Sequence, residues 1–280
     1  ELLSACADAR SRGLTASVLT FDPHPASVLR GEGPLPRIDT PLARLRSLRR
    51  AGIERLCTLT FDRDLAARTP RQFVEDILVG ELQAGLVVVG EGFRFGAARS
   101  GDVPLLRELA AGRFEVREQA TVKDAEGRIS SSRVRAALAR GDIEAVEALL
   151  GRPFEIEGLV VQGDHRGREI GYPTANIDLG GASALAPGVY AADGRIEGED
   201  GVHRAAVNFG FRPTFSGIEP RLEAHFPGLS GDFYGRVVRL RLLEPLRPEK
   251  RFDGIGALVA QIGLDVQAAL QAKARPWPPG

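Results

Sequence analysis

Methionine is absent from the 280 residues, tryptophan occurs once and cysteine twice. Cys6 and Cys57 make no metal-ligand spacing such as C-x-x-C, and two isolated cysteines are not a disulfide framework. They read as small buried apolar residues. No run approaches the ~18 apolar residues of a bilayer-spanning helix, and no signal peptide is visible. Neither sign of charge is in excess, with 37 Lys plus Arg against 37 Asp plus Glu. A nucleic-acid binder draws most of its affinity from neutralised phosphates and carries a basic surplus or stripe. Aromatic residues, at 6%, also leave little for base stacking. These absences argue against nucleic-acid and membrane partners and predict a cytoplasmic protein. With no methionine and a first residue of Glu1, the natural start is expected upstream.

What is present is ordinary for a globular protein: 43% hydrophobic and 26% charged residues. At roughly 100–200 residues per domain, the length predicts two domains. The first half alternates two periods. Ala16–Phe21, Arg55–Phe61, Leu86–Gly90 and Phe114–Val122 read as strands, short apolar or β-branched runs bounded by turn signals. Between them Pro41–Ala51 places Leu42, Leu45 and Leu48 on one helical face, and Pro70–Gly80 does the same with Phe73, Ile77 and Leu78. Thr69-Pro70 reads as an N-cap followed by proline at the first helical position. Alternating strand and helix predicts a parallel sheet flanked by helices.

A helical pair follows over 129–150, with Ser130, Ser131 and Ser132 as cap candidates and Gly141-Asp142 as the break. The domain boundary is expected here, giving 1–150 and 151–280. From Phe154 onward the pattern changes to strands and turns, with candidates at Phe154–Gln162, Gly188–Ala192, Ala205–Asn208, Arg221–His225 and Val237–Leu243. Short strands with glycine-rich turns predict a small barrel or sandwich. An amphipathic helix over about Ile255–Ala272 closes the pattern.

The densest unusual segment runs from Gly163 to Asn176 (GDHRGREIGYPTAN). Gly163, Gly167 and Gly171 let the backbone approach an anion, and Arg166 and Arg168 can neutralise phosphate oxygens. Alone, such a segment is more often simply a turn. Thr174 and Asn176 then offer hard oxygen ligands of the kind Mg²⁺ takes alongside water and phosphate. Asn208-Phe209-Gly210-Phe211-Arg212-Pro213-Thr214, Leu222-Glu223-Ala224-His225 and Tyr234-Gly235 follow. Glu223 alone would be a salt-bridged strand residue; His165 and His225 read as packing or surface histidines, and His203 as a solvated residue of a polar turn.

The order PTAN, N-x-G-x-R-P-T, L-E-x-H, Y-G and a final helix resembles bacterial riboflavin kinase over 153–272. The resemblance implies a six-stranded Greek-key β-barrel with a C-terminal helix, binding riboflavin and Mg-ATP. In it Gly163, Asp164, Arg166, Gly167, Gly171 and Pro173 would cover the nucleotide. Thr174 and Asn176 would meet Mg²⁺ and the ATP phosphates, and Glu223 would be the general base. Asn208, Gly210, Arg212, Pro213 and Thr214 complete the motif set. A pure flavin- or nucleotide-binding module, the alternative, has no need for a base such as Glu223.

The first half resembles the FMN adenylyltransferase domain to which this kinase is fused in bacterial FAD synthetase. The matching stretches are Thr20-Phe21-Asp22-Pro23-His24-Pro25, Val88–Gly96 with Arg99 and Gly101, and Ile129–Arg135. The resemblance implies a Rossmann-like domain using ATP and FMN. Asp22, Pro23, His24, Pro25, Phe93, Phe95 and Gly96 would serve flavin and nucleotide, and Ser130, Ser131, Ser132, Arg133 and Arg135 an anionic transition state at a helix N-terminus. Two departures stand out. The family's opening strand and G-x-F-D-G-x-H-x-G-H have no match, residues 1–12 reading as the tail of the helix that follows. Gly92 stands where the family usually has Asn or Asp. A first domain that is poorly stable or repacked, and inactive in adenylyl transfer, is therefore expected of this sequence.

Overall fold

The computed structural model describes residues 2–31, 35–163, 166–181, 183–214, 217–275 and 277. Its contacts divide the chain into two compact units, Glu1–Leu35 with Arg46–Ile129, and Pro36–Leu45 with Ser130–Gly280.

In the first unit, β1 (Ser17–Asp22) runs parallel to β2 (Arg55–Thr60), and β3 (Leu86–Gly90) parallel to β4 (Glu115–Gln119). The expected parallel pairing is therefore present, but as two separate two-stranded sheets among the described residues. A short hairpin of β5 (Lys123–Asp124) and β6 (Gly127–Arg128) ends the unit. Helix Val103–Ala110 and the segment Phe73–Glu81 supply most of its buried core.

The expected helix over 70–80 is α-helical only in its first turn. Thr69 caps it as anticipated, its hydroxyl accepting from the Gln72 amide at 3.2 Å while the Gln72 side chain accepts from the Thr69 amide at 2.9 Å. This is a capping box. From Phe73 to Glu81 the turns widen into a π-helix, continued where the Leu82 amide donates to the Ile77 carbonyl at 2.9 Å. Phe73, Val74, Ile77 and Leu78 are the buried residues of this segment.

The second unit contains a closed antiparallel barrel. Its strands are β7 (Glu155–Val161), β8 (Ala175–Ile177), β9 (Gly188–Ile196), β10 (His203–Thr214), β11 (Gly217–His225) and β12 (Val237–Pro248). They close in the order β10-β11-β8-β7-β12-β9, so the β8–β9 and β11–β12 connections cross to non-neighbouring strands. Strand β8 went unread in the sequence because three residues show no period. The core holds Phe154, Tyr190, Phe209, Leu222, Leu240 and Leu242. Burial pushes the Tyr190 hydroxyl up to about 12, and it donates to the Ala186 carbonyl at 2.6 Å.

The compact units do not divide at 150/151. Helices Ser131–Leu138 and Ile143–Leu150 send Val134, Leu138, Ile143 and Val146 into the barrel's own core. Residues 36–45 belong with the barrel too. The Thr40 hydroxyl donates to the Glu157 carbonyl at 2.6 Å and accepts from the Glu157 amide at 3.1 Å, and Arg152 holds both oxygens of Asp39 at 2.8 Å.

Leu240 is fully buried in this core, so Leu240→Ala should destabilise the second unit by about 2–5 kcal/mol. Urea unfolding followed by the fluorescence of Trp277, the only tryptophan, reads this directly, because its ring lies against the Arg195 and Arg239 guanidiniums. An unshifted midpoint would contradict the packing described.

Candidate active site

Strand β11 alternates faces. Leu222 and Ala224 point into the barrel core, so period-2 alternation turns Arg221, Glu223 and His225 to the other face. Register then brings three separate motifs into one row. Glu223 lies directly opposite Asn176 on β8 and opposite Asn208 on β10, and directly opposed residues present their side chains on the same face. The row lines a cavity of about 350 Å³, which Thr174, Gly167 and Tyr172 also line. Its other wall comes from Arg247, Glu249, Lys250 and Phe252 together with Leu258, Ile262 and Asp265 of helix Ile255–Gln271.

Hydrogen bonds tie the row together. Arg221 donates from Nε to Asn176 Oδ1 at 3.1 Å and pairs through Nη2 with Glu223 Oε1 at 2.6 Å. His225, read in the sequence as a packing or surface histidine, lines the cavity. Its Nδ1 lies 2.8 Å from the Pro173 carbonyl; a carbonyl only accepts, so Nδ1 carries the proton in this contact. The Tyr172 ring meets His225 edge-on at 5.4 Å. Thus the residue two beyond Glu223 fixes the backbone just before Thr174. On the opposite wall Arg247 holds the buried Asp265 carboxylate through contacts of 2.7 to 3.1 Å, and Gln261 adds one at 3.0 Å.

Gly163 lies directly against the Asn176 side-chain amide, where a Cβ would overlap it. The backbone of Gly167 accepts from the Tyr172 amide at 2.8 Å, closing the turn that leads into Pro173 and Thr174. Gly171 sits in that turn. Gly210 lies against the Glu249 carboxylate, and Arg212 is exposed further along β10. Pro213 and Thr214 pair with β11 through their backbones. Asp164 and His165 lie outside the described residues, as do the side chains of Arg166, Arg168, Pro213 and Thr214.

The residues matched to adenylyl transfer fall in both units. In the first, Asp22 ends β1, joined to Pro23 by a cis peptide bond. His24 caps helix Pro25–Arg30, its Nδ1 accepting from the Ala26 amide at 3.1 Å. Phe93 stacks on Phe95 with centroids 5.7 Å apart, and Gly96 packs on Pro70. Gly92 has φ +71, a left-handed conformation that Gly, Asn and Asp adopt most readily. Glu91 beside it accepts from the Thr121 amide at 3.2 Å. Hydrogen bonds from Thr121 hold the Glu91 carboxyl below its ordinary value.

In the second unit Ser130 caps helix Ser131–Leu138 by accepting from the Arg133 amide at 3.4 Å. Ser131 and Ser132 are exposed and Arg133 is half-buried. Arg135 donates to the Pro36 carbonyl at 2.8 Å, and burial pulls its guanidinium below the ordinary value.

Comparison with known proteins settles the family. A riboflavin kinase family model matches residues 150–273 and an FAD synthetase model residues 2–133. The bifunctional riboflavin kinase/FMN adenylyltransferase of Escherichia coli K12 is 38% identical over 259 residues, which cover 92% of this chain and 82% of the relative. The chain belongs to the bifunctional riboflavin kinase/FMN adenylyltransferase family. The Bacillus subtilis member is 33% identical over 268 residues, 94% of this chain and 84% of that one. A Streptococcus pneumoniae crystal structure titled macrolide-efflux protein superposes with a TM-score of 0.77 at 31% identity, covering 97% of this chain and 89% of that one. Among the described residues of this family member, no helix is long and apolar enough to cross a membrane.

Sequence reading missed Arg221, the role of His225 and the Arg247–Asp265 wall. The first two had a visible signal: in Arg221-Leu222-Glu223-Ala224-His225 every second residue is polar. The third joins residues 18 apart on different elements and had none.

Gly163→Ala tests the close approach at Asn176. The added methyl should push the amide away, shifting the Asn176 side-chain resonances in an ¹⁵N correlation spectrum while Trp277 fluorescence stays native. Unchanged resonances would mean that the contact is not made in solution.

Proposed function

We propose that residues 151–280 phosphorylate riboflavin to FMN and that residues 1–150 belong to the domain that adenylylates FMN to FAD, acting in the cytoplasm. The observation that carries the first activity is the row of Asn176, Glu223 and Asn208 on one wall of a cavity. Family membership carries the second.

The ribityl primary hydroxyl is a weak nucleophile at neutral pH. Glu223 accepts its proton as the oxygen attacks the γ-phosphorus of ATP and ADP departs with the bridging electron pair. Asn208 flanks the carboxylate on the next strand and is available to orient the same hydroxyl. Thr174 and Asn176, on the other side, offer a hydroxyl and an amide oxygen for the metal. This donor set fits Mg²⁺, a hard cation that takes one or two protein oxygens and completes its shell with water and phosphate. Bound there, Mg²⁺ would neutralise charge on the transferring phosphoryl group. Gly163 lies against the Asn176 amide and Gly167 near the Thr174 hydroxyl, so backbone without side chains stands close to the same oxygens.

In the second reaction an FMN phosphate oxygen attacks the α-phosphorus of ATP and pyrophosphate leaves. The capped N-terminus of helix Ser131–Leu138 and Arg133 supply positive potential for that transfer.

The test is a chromatographic assay of the purified chain with riboflavin, ATP and Mg²⁺. FMN should accumulate; conversion of FMN onward to FAD would support adenylyl transfer, and FMN alone would count against it in this chain. Neither product would overturn the enzymatic reading in favour of a binding module. Glu223→Ala should lower the turnover of riboflavin phosphorylation by roughly 10²–10⁴-fold with little change in ATP affinity. An unaltered turnover would return Glu223 to the status of a salt-bridged strand residue.

A further inference from the structure

Arg221 belongs to none of the motifs that carry the family resemblance, yet its guanidinium lies between two of their residues. It touches Asn176 Oδ1 at 3.1 Å and Glu223 Oε1 at 2.6 Å. These are an oxygen assigned above to the metal and the carboxylate assigned to proton removal. We propose that Arg221 is a resident cation of the nucleotide pocket, which joins Asn176 to Glu223 before nucleotide binds and gives up Asn176 when magnesium–ATP loads. The proposal rests on the kinase reading of this site.

The charges around the cavity support the assignment. Asp265 on the far wall is already matched by Arg247, and the Lys250 ammonium lies over the Phe252 ring at 5.6 Å. The Glu223 carboxylate has its close ion pair with Arg221, and both side chains are about three-quarters covered, at 24% and 29% exposure. Partial burial makes that pair stronger than one on an open surface. An amide oxygen that ligates a divalent cation through one lone pair and keeps a guanidinium at 3.1 Å on the other holds two cations against one atom, and their repulsion weakens the metal contact. Arg221 therefore opposes metal loading at Asn176, whereas its contact with Glu223 is compatible with a filled site. Its long side chain and five donors let it leave Asn176 while holding the carboxylate.

Arg221 is thus a positioning residue with two separable effects. It weakens binding of the metal-bound nucleotide, and it keeps Glu223 in place for proton removal. Removing its charge should move affinity and turnover in opposite useful directions, which a merely structural residue would not do.

The experiment compares wild type, Arg221→Gln and Arg221→Lys by calorimetric titration with ATP, first in Mg²⁺ and then in EDTA, alongside turnover. In Mg²⁺ the glutamine variant should bind ATP roughly tenfold more tightly, because the competing cation is gone. In EDTA the sign should reverse, because the pocket has lost a charge that attracts free ATP. Its kcat should fall on the order of tenfold, and the lysine variant should return each quantity toward wild type. Native Trp277 fluorescence establishes that each variant is folded.

Equal or weaker binding of magnesium–ATP by Arg221→Gln would overturn the proposal. Asn176→Ala, titrated in parallel, separates that failure from failure of the kinase reading. If Asn176→Ala loses magnesium–ATP affinity while Arg221→Gln gains none, the site stands and the role of Arg221 falls. If Asn176→Ala binds as wild type does, the metal assignment falls and the proposal goes with it.

Discussion

Because the barrel closes on itself, every strand is held on both sides, and β11 cannot slip by one residue against either neighbour. A slip would turn Leu222 and Ala224 to water and drive Glu223 into the core. Exposing a buried leucine alone costs about 1.5–3 kcal/mol, and an unpaired ionised carboxylate in an apolar interior costs far more. Hydrophobic burial on the inner face therefore fixes the chemistry on the outer one. The position of Glu223 opposite Asn176, the bridge made by Arg221 and the grip of His225 on Pro173 all follow from that register.

How much of this could be read in the sequence depended on whether the determining contact was local. Leu86–Gly90 is a short β-branched run with sharp ends, and it is a strand over those five residues. The Thr69 cap is set by residues three apart and was legible too. Strand β8 was not, because Ala175–Ile177 is a strand only through its partners on β7 and β11. The widening of Phe73–Glu81 into a π-helix is likewise a packing outcome that propensity does not encode. At the candidate site, Glu223, Thr174 and Asn176 were visible through motif order, but the contact between Asn176 and Arg221 spans 45 residues and needed the fold. The division at 150/151 followed the change in sequence pattern, whereas compactness follows the shared core that Val134, Leu138, Ile143 and Val146 make with the barrel.

The first unit shows how a family pattern separates into backbone and side-chain requirements. At Gly92 the backbone is left-handed, a conformation open to the Asn or Asp that the resemblance implies as well as to glycine, so the departure there lies in the side chain. His24 is similar in kind, and so is Ser130 in the second unit: each already accepts a hydrogen bond from a backbone amide. Their side chains define where a helix begins, and any ligand that approaches does so at an edge these caps have already shaped.

Asn176, Glu223 and Asn208 stand on three successive strands, so the backbone ladder works as a ruler. Neighbouring strands are about 4.8 Å apart, and the row spans roughly twice that. Side-chain exchange can lengthen or shorten a group's reach but cannot alter the spacing of the three attachment points. Tuning of this site among relatives is thus confined to the reach of each side chain and to what the facing helix presents. Thermal inactivation of phosphoryl transfer should coincide with melting of the barrel, because no softer element carries the spacing.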